Sequence, residues 1–243
     1  MMRSRLANAL RMLDIRALRL GHWICALCGN RIHIRLKDSD VGVRCLRCGA
    51  SAITQSIIGV IRAEVPDLSE RKAYELSSRG AMVEWLRKQV RSLTTSEYMT
   101  GVSNGEIHLG VRCEDVQHLT FPDASFDLCT STEVFEHVED DMAGFREIWR
   151  ILRPGGILIF TVPMTDSPAT VERAHREGGE WVHLLEPEYH SDPYTGYQPS
   201  LCVRNYGLDI QDRLRQSGFS RVSLVRPAND LMGYARKVLV ARR

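Results

Sequence analysis

Long apolar runs are missing from this 243-residue chain. The longest, Ile157 to Pro163, falls far short of the ~20 residues that span a bilayer, so no transmembrane helix is expected. No secretory leader is expected either, because arginines interrupt the N-terminal segment too often for the apolar core of a signal peptide. Neither sign of charge dominates: 32 Lys and Arg face 30 Asp and Glu, so no global field draws the chain to nucleic acid. Proline (9) and glycine (18) are too sparse for a low-complexity chain. With no secretory signal, the seven cysteines are not expected to form a disulfide framework, and a reducing cytoplasm suits them better. What remains is the composition of a soluble globular protein, long enough for one large domain and a small appendage.

The sharpest pattern present is a pair of knuckles, Cys25-Ala26-Leu27-Cys28 and Cys45-Leu46-Arg47-Cys48, each followed by glycine (Gly29, Gly49). That spacing places four thiolates around one zinc ion. Between them, the alternating Arg31 to Leu36 and the short Val41-Gly42-Val43 predict a β-hairpin with a knuckle at each strand end. The module, assigned to 23–52, resembles a zinc ribbon. The alternatives are two unmetallated thiol pairs or a redox CxxC, although a redox motif needs no second pair. Four thiolates close the coordination sphere, so such a zinc folds the module and does no chemistry. Cys113 and Cys129 lie in apolar strand-like runs, where a free thiol behaves as a small hydrophobe.

Ahead of the knuckles, Arg3, Arg5, Arg11, Arg16 and Arg19 stand against Asp14 alone, and Leu6, Leu10 and Leu13 recur at helical spacing. Residues 1–22 therefore read as a basic amphipathic helix, docked on its own domain with a solvated arginine face, or touching a membrane surface or RNA. Residues 53–69 read as a linker, and 70–243 as the main domain.

From about residue 70, strand-like and helix-like patterns alternate, which predicts an α/β fold with a parallel sheet and helices on both faces. Helices are expected at Ala81–Val90, Asp141–Leu152 and Asp209–Ser217. Strands are expected at Ser92–Tyr98, Val111–Glu114, Phe126–Ser131, Ile157–Val162, Val222–Val225 and Lys237–Ala241, with Arg153-Pro154-Gly155-Gly156 as a turn. The charged Glu70-Arg71-Lys72-Ala73 suits a buried central strand poorly.

Three segments in order, Glu114 to Asp127, Glu133-Val134-Phe135-Glu136-His137-Val138 and Arg150 to Gly156, resemble the class I S-adenosylmethionine-dependent methyltransferases, in particular the group acting on small molecules. The resemblance covers roughly 70–241 and implies a Rossmann-like sheet and S-adenosylmethionine as cofactor. It sets Tyr74-Glu75-Leu76-Ser77-Ser78-Arg79-Gly80 in the place of the glycine-rich cofactor loop, with serine where the family carries its first glycine. Glu75, Ser77, Ser78 and Gly80 then line the methionine end of the cofactor, where backbone amides opening a helix suit its carboxylate. Glu97, beside Tyr98, takes the ribose diol. Asp115 accepts the adenine amino group, with the Val116 amide facing the ring; a helix N-cap is its rival role. Ser131 and Thr132, at the end of the next strand, complete the cofactor set.

Methyl transfer displaces an already activated sulfonium, so alignment supplies much of the rate and a base is needed only for a reluctant nucleophile. His137 is the candidate base or substrate contact. Glu133, Glu136 and His137 repeat an E-x-x-E-H pattern that holds a divalent ion in ubiquinone-biosynthesis and small-RNA O-methyltransferases; in metal-free relatives Glu-His at this spot only packs and caps a turn. His183, Glu188, Tyr189, His190, Asp192, Tyr194, Tyr197 and Tyr206 lie in the stretch where the family inserts its substrate-recognition segments; they read equally as substrate contacts or as a solvated lid with some core aromatics. Together these imply a methyltransferase acting on a small-molecule or glycan-like acceptor at oxygen. The alternatives are an RNA methyltransferase using the zinc module for contact, and a non-catalytic binding protein on a decayed methyltransferase fold. Neither the acceptor nor the oligomeric state is legible.

Overall fold

The computed structural model describes residues 13–191, 199–227 and 230–243. Most of the expected N-terminal helix lies outside these residues, as do Asp192, Tyr194 and Tyr197. The part of the expected helix at Arg19–His22 is a strand, β1, paired antiparallel with β2 (Ile32–Arg35), which pairs with β3 (Val43–Cys45). The correction has a plain cause: Leu20 and His22 face β2 in ladder register, and cross-strand pairing outweighs a marginal helical periodicity.

The residues read as a linker contain α1 (Ala52–Glu64). Ser51 caps it by accepting from the Thr54 amide, and Ile53, Ile57, Ile58 and Ile61 are buried. A 3-10 turn (Leu68–Glu70) leads to β4 (Lys72–Glu75), then α2 (Ala81–Gln89), β5 (Ser92–Glu97), β6 (Ile107–His108), β7 (Val111–Cys113) and β8 (Phe126–Thr132). A second 3-10 turn (Phe135–His137) precedes α3 (Asp141–Ile151) and β9 (Leu152–Thr161). Three small antiparallel pairs follow: β10 (Val171–Glu172) with β15 (Arg204–Asn205), β11 (Ala174–Glu177) with β12 (Glu180–His183), and β13 (Glu188–Ser191) with β14 (Pro199–Cys202). The chain ends with α4 (Ile210–Gln216), β16 (Arg221–Val225) and β17 (Val238–Arg242).

Eight strands form one sheet in the order β16-β17-β9-β8-β4-β5-β7-β6, parallel through its centre and antiparallel at β17 and β6. This is a Rossmann-like α/β sheet. Strand alternation divides its faces: Ile157 and Ile159 of β9 with Val238 and Val240 of β17 pack against α1 and α2. Leu158, Phe160, Leu239 and Ala241 pack against Phe145 and Ile148 of α3 and Leu214 of α4. α1 is thus a structural layer of the domain. The Arg153–Gly156 turn is absorbed into β9 as an irregularity, where the β8–β9 register shifts between Phe126 and Leu128. β4 reaches the sheet centre because its charges stay at its entrance: Arg71 pairs with Asp67 at 2.6 Å and the Lys72 amide donates to Asp127.

One buried cation ties the segment after β14 to the turn after β8. Arg204 donates to the carbonyls of Phe135, Val138 and Glu139 and lies 3.1 Å from Glu172. Tyr206, from the stretch read either as substrate contacts or as a lid with core aromatics, is a fully buried core residue whose hydroxyl donates to Asp141 at 2.9 Å. Arg204→Ala is expected to lower stability by about 3–5 kcal/mol, because it strands buried carbonyls and carboxylates without a donor. Urea unfolding measures this; a loss under about 1 kcal/mol would show that the clamp is dispensable.

Candidate active site

The acidic candidates collect where ligands bind in such sheets, beyond the carboxyl ends of the parallel strands. Glu75 ends β4 and is buried; Thr130 of β8 donates to its carboxylate. Burial pushes Glu75 up to about 8. After the loop, Gly80 adopts φ +106°, a conformation only glycine takes without strain, and opens α2 with no side-chain cap. The first amides of α2 are therefore left to a ligand or to solvent.

Glu97 ends β5, and its Oε1 accepts from both the amide and the hydroxyl of Ser78, each at 2.8 Å. Two donors converging on one strand-end carboxylate is the pattern a vicinal diol presents. Ser77 lies on the same loop, and Tyr98 is largely exposed beside Glu97. Asp115 follows β7; its Oδ1 accepts from the amide and side chain of Gln117, and its own amide donates to Asn104. Asp115 thus caps a turn with no helix after it, and Val116 is buried in the core. Ser131 and Thr132 end β8, and the hydroxyls of both are buried without a partner among the described residues.

Beyond β8 the backbone kinks. Glu133 adopts φ +55°, rare outside glycine and a mark of a site held in place by its surroundings. Its amide donates to Thr161, and its Oε2 lies 3.0 Å from Arg236 Nη2. Burial, and secondarily the charge of Glu136, push Glu133 up to about 8. The same Arg236 Nη2 lies 2.9 Å from Asp40 in the three-stranded module. The expected metal trio of Glu133, Glu136 and His137 is corrected by this arrangement: Glu133 pairs with Arg236, and His190 takes its place beside Glu136 and His137. His137 Nδ1 donates to the Leu201 carbonyl at 2.8 Å.

The four knuckle cysteines converge, with Sγ atoms within 4.8 Å of one another and the Cys25–Cys48 and Cys28–Cys45 pairs at 3.6 Å. Tetrahedral zinc with Zn–S bonds near 2.3 Å requires sulfurs about 3.8 Å apart, so the donor set fits. Gly29 and Gly49, at φ +70° and +76°, let each knuckle turn back so that its amide donates to Cys25 or Cys45. The contact from Cys48 pulls the Cys25 thiol down to about 4, toward the thiolate a metal requires.

Residues 76–160 match the family model described as a methyltransferase domain. The match covers about a third of the chain. Its sheet agrees with that of an S-adenosylmethionine-dependent methyltransferase from Mesorhizobium loti, with a TM-score of 0.51 at 18% identity, covering 77% of this chain and 98% of that one. In sequence, the chain is 24% identical over 185 residues to an O-methyltransferase of Penicillium expansum, covering 76% of this chain and 52% of the relative. It is 27% identical over 209 residues to the 27-O-demethylrifamycin SV methyltransferase of Amycolatopsis mediterranei, covering 84% of this chain and 71% of the relative. The chain thus spans about half the length of the Penicillium relative. Two residues around the sheet's strand ends are not marked in the sequence: Arg236, which arrives from the loop before β17, and Thr130, inside an apolar strand. No local pattern marks either.

Proposed function

We propose that the chain transfers a methyl group from S-adenosylmethionine to an oxygen of a small-molecule or glycan-like acceptor. The observation that carries the reading is Glu97 at the end of β5, already holding two donors from the loop that opens α2. The cofactor, when bound, supplies a sulfonium methyl that needs no further activation. Glu97 would hold its ribose hydroxyls, displacing Ser78, and the uncapped amides of α2 would hold its carboxylate through the helix dipole. Glu75 offers a buried carboxylate for its ammonium group, whose charge would favour the ionised form that burial opposes. Asp115 and Val116 would border the adenine. The acceptor segment is the β10–β15 insertion, and both sequence relatives carry O-methylation in their names. Zinc in the four-cysteine cluster, maintained in a reducing cytoplasm, would fold the module against the domain.

Calorimetric titration of the full chain with S-adenosylhomocysteine tests the reading. One site is expected, tightened several-fold in Ser78→Gly, because the wild-type loop competes for Glu97. No heat from either protein would replace the reading with that of a non-catalytic binding protein.

A further inference from the structure

We propose that the outer face of the three-stranded module is a docking surface for an anionic lipid membrane. Leu20 stands opposite Ile34 and His22 opposite Ile32 in the β1–β2 ladder, so strand alternation sets Leu20, His22 and Ile32 on one face. Past β1 the Trp23 amide donates to the Arg31 carbonyl and the Cys25 amide to that of Asn30, which keeps the chain extended and brings Ile24 to the same face. The Leu46 amide donates to the Ile32 carbonyl and sets Leu46 alongside. The opposite face is closed: His33, Val43 and Cys45 are all buried, Val43 against Ala52 and Leu231. On the outer face Leu20 is 72% exposed, Ile24 69%, Leu46 54% and Ile32 48%. Single exposed aliphatic residues are ordinary, but four gathered on one face of so small a module mark a contact surface.

The charge around this face selects the partner. Arg19, Arg31 and Arg47 neighbour Leu20, Ile32 and Leu46 in the chain; with Arg16 they are exposed, and they pair with no carboxylate among the described residues. The module's acids are engaged already: Asp40 pairs with Arg236 at 2.9 Å, Asp38 with Arg35 at 3.1 Å, and Asp14 accepts from the Arg16 amide. In sequence, the chain before Asp14 adds Arg3, Arg5 and Arg11 and no acid. An aliphatic centre among arginines matches the interface of a bilayer with anionic headgroups, where alkyl groups enter the acyl boundary and guanidinium groups stay with the phosphates. A second copy of the chain fits worse, because two-fold pairing of this face would set arginines against arginines. RNA fits worse as well, because the four aliphatic side chains give bases nothing to stack on.

The test sediments the full chain, zinc retained, with vesicles of phosphatidylcholine alone or with about a third phosphatidylserine. Binding is expected only to the anionic vesicles, weakening as salt rises because exposed charges are screened. Leu20→Ser with Ile32→Ser, and separately Arg31→Glu with Arg47→Glu, should each weaken it ~10-fold or more. All four side chains are exposed, and zinc content with melting temperature shows that each variant is folded; two independent pairs keep the test decisive if one is not. Absence of binding to anionic vesicles, equal binding to both kinds of vesicle, equal binding by wild type and both variants, or a dimer that Leu20→Ser with Ile32→Ser dissolves overturns the membrane surface. Neither pair includes a strand-end acid, so S-adenosylhomocysteine titration of the same samples reports separately on the cofactor cleft.

Discussion

Cys45→Ser is expected to lower the melting temperature of the whole chain by about 10 °C or more, and to abolish its bound zinc. Cys45 is buried at the centre of the cluster, and a structural zinc site holds on the order of 10–16 kcal/mol of apparent binding free energy, so losing a ligand unfolds the module. The damage spreads because the module is built into the domain. Gln55 of α1 accepts from the Ala26 amide and contacts His33 at 3.1 Å, while Val43 packs with Ala52 and Leu231. Asp40 holds Arg236, which in turn holds Glu133 at the end of β8. Losing these contacts removes several kcal/mol from α1 and the loop before β17, and each kcal/mol shifts the midpoint of a domain this size by about 2–4 °C. Calorimetry with elemental analysis measures both quantities. One zinc per chain with an unshifted transition in the variant would refute the coupling.

Glu97→Ala is expected to weaken S-adenosylhomocysteine binding by ~100-fold or more while leaving the melting temperature within a few degrees. Hydrogen bonds to a charged acceptor contribute about 1.5–3 kcal/mol each, and a diol makes two. Their loss corresponds to about a hundredfold or more in affinity at 1.4 kcal/mol per decade. Glu97→Gln keeps one acceptor oxygen and should fall between. Glu97 sits half-buried at a strand end, outside both large cores, so stability should change little. Equal affinity in wild type and Glu97→Ala would remove the residue from the site.

The expectations that failed share a cause. Residues 53–69 read as a linker although Ile53, Ile57, Ile58 and Ile61 recur at helical spacing, because no motif there drew attention to the pattern. Glu70 to Ala73 reads as unsuited to a central strand, yet only Lys72, Ala73, Tyr74 and the strand-end Glu75 enter the sheet, and a nearby aspartate satisfies the Lys72 amide. Tyr206, in its company of tyrosines and histidines, reads equally as substrate contact or core aromatic; its burial against Asp141 depends on a partner 65 residues away. His190 was named for the acceptor segment, and its approach to Glu136 depends on how the β13–β14 pair folds over the turn after β8.

By itself, the sequence determined what local chemistry can specify. Two knuckles with glycines dictate a four-thiolate cluster, because short turns set sulfur positions within a few residues. Ile157 to Val162 dictates a buried central strand, and the order of the strand-end acids dictates where a cofactor would lie, because each acid directly follows its own strand. Tertiary structure alone decided which carboxylate meets which cation. Arg236 claims Glu133 and leaves Glu136 beside two histidines, a division set by long-range packing. Side-chain pairing across the sheet's loops depends on distances of a few ångströms between segments far apart in the chain, and spacing along the chain carries no record of them.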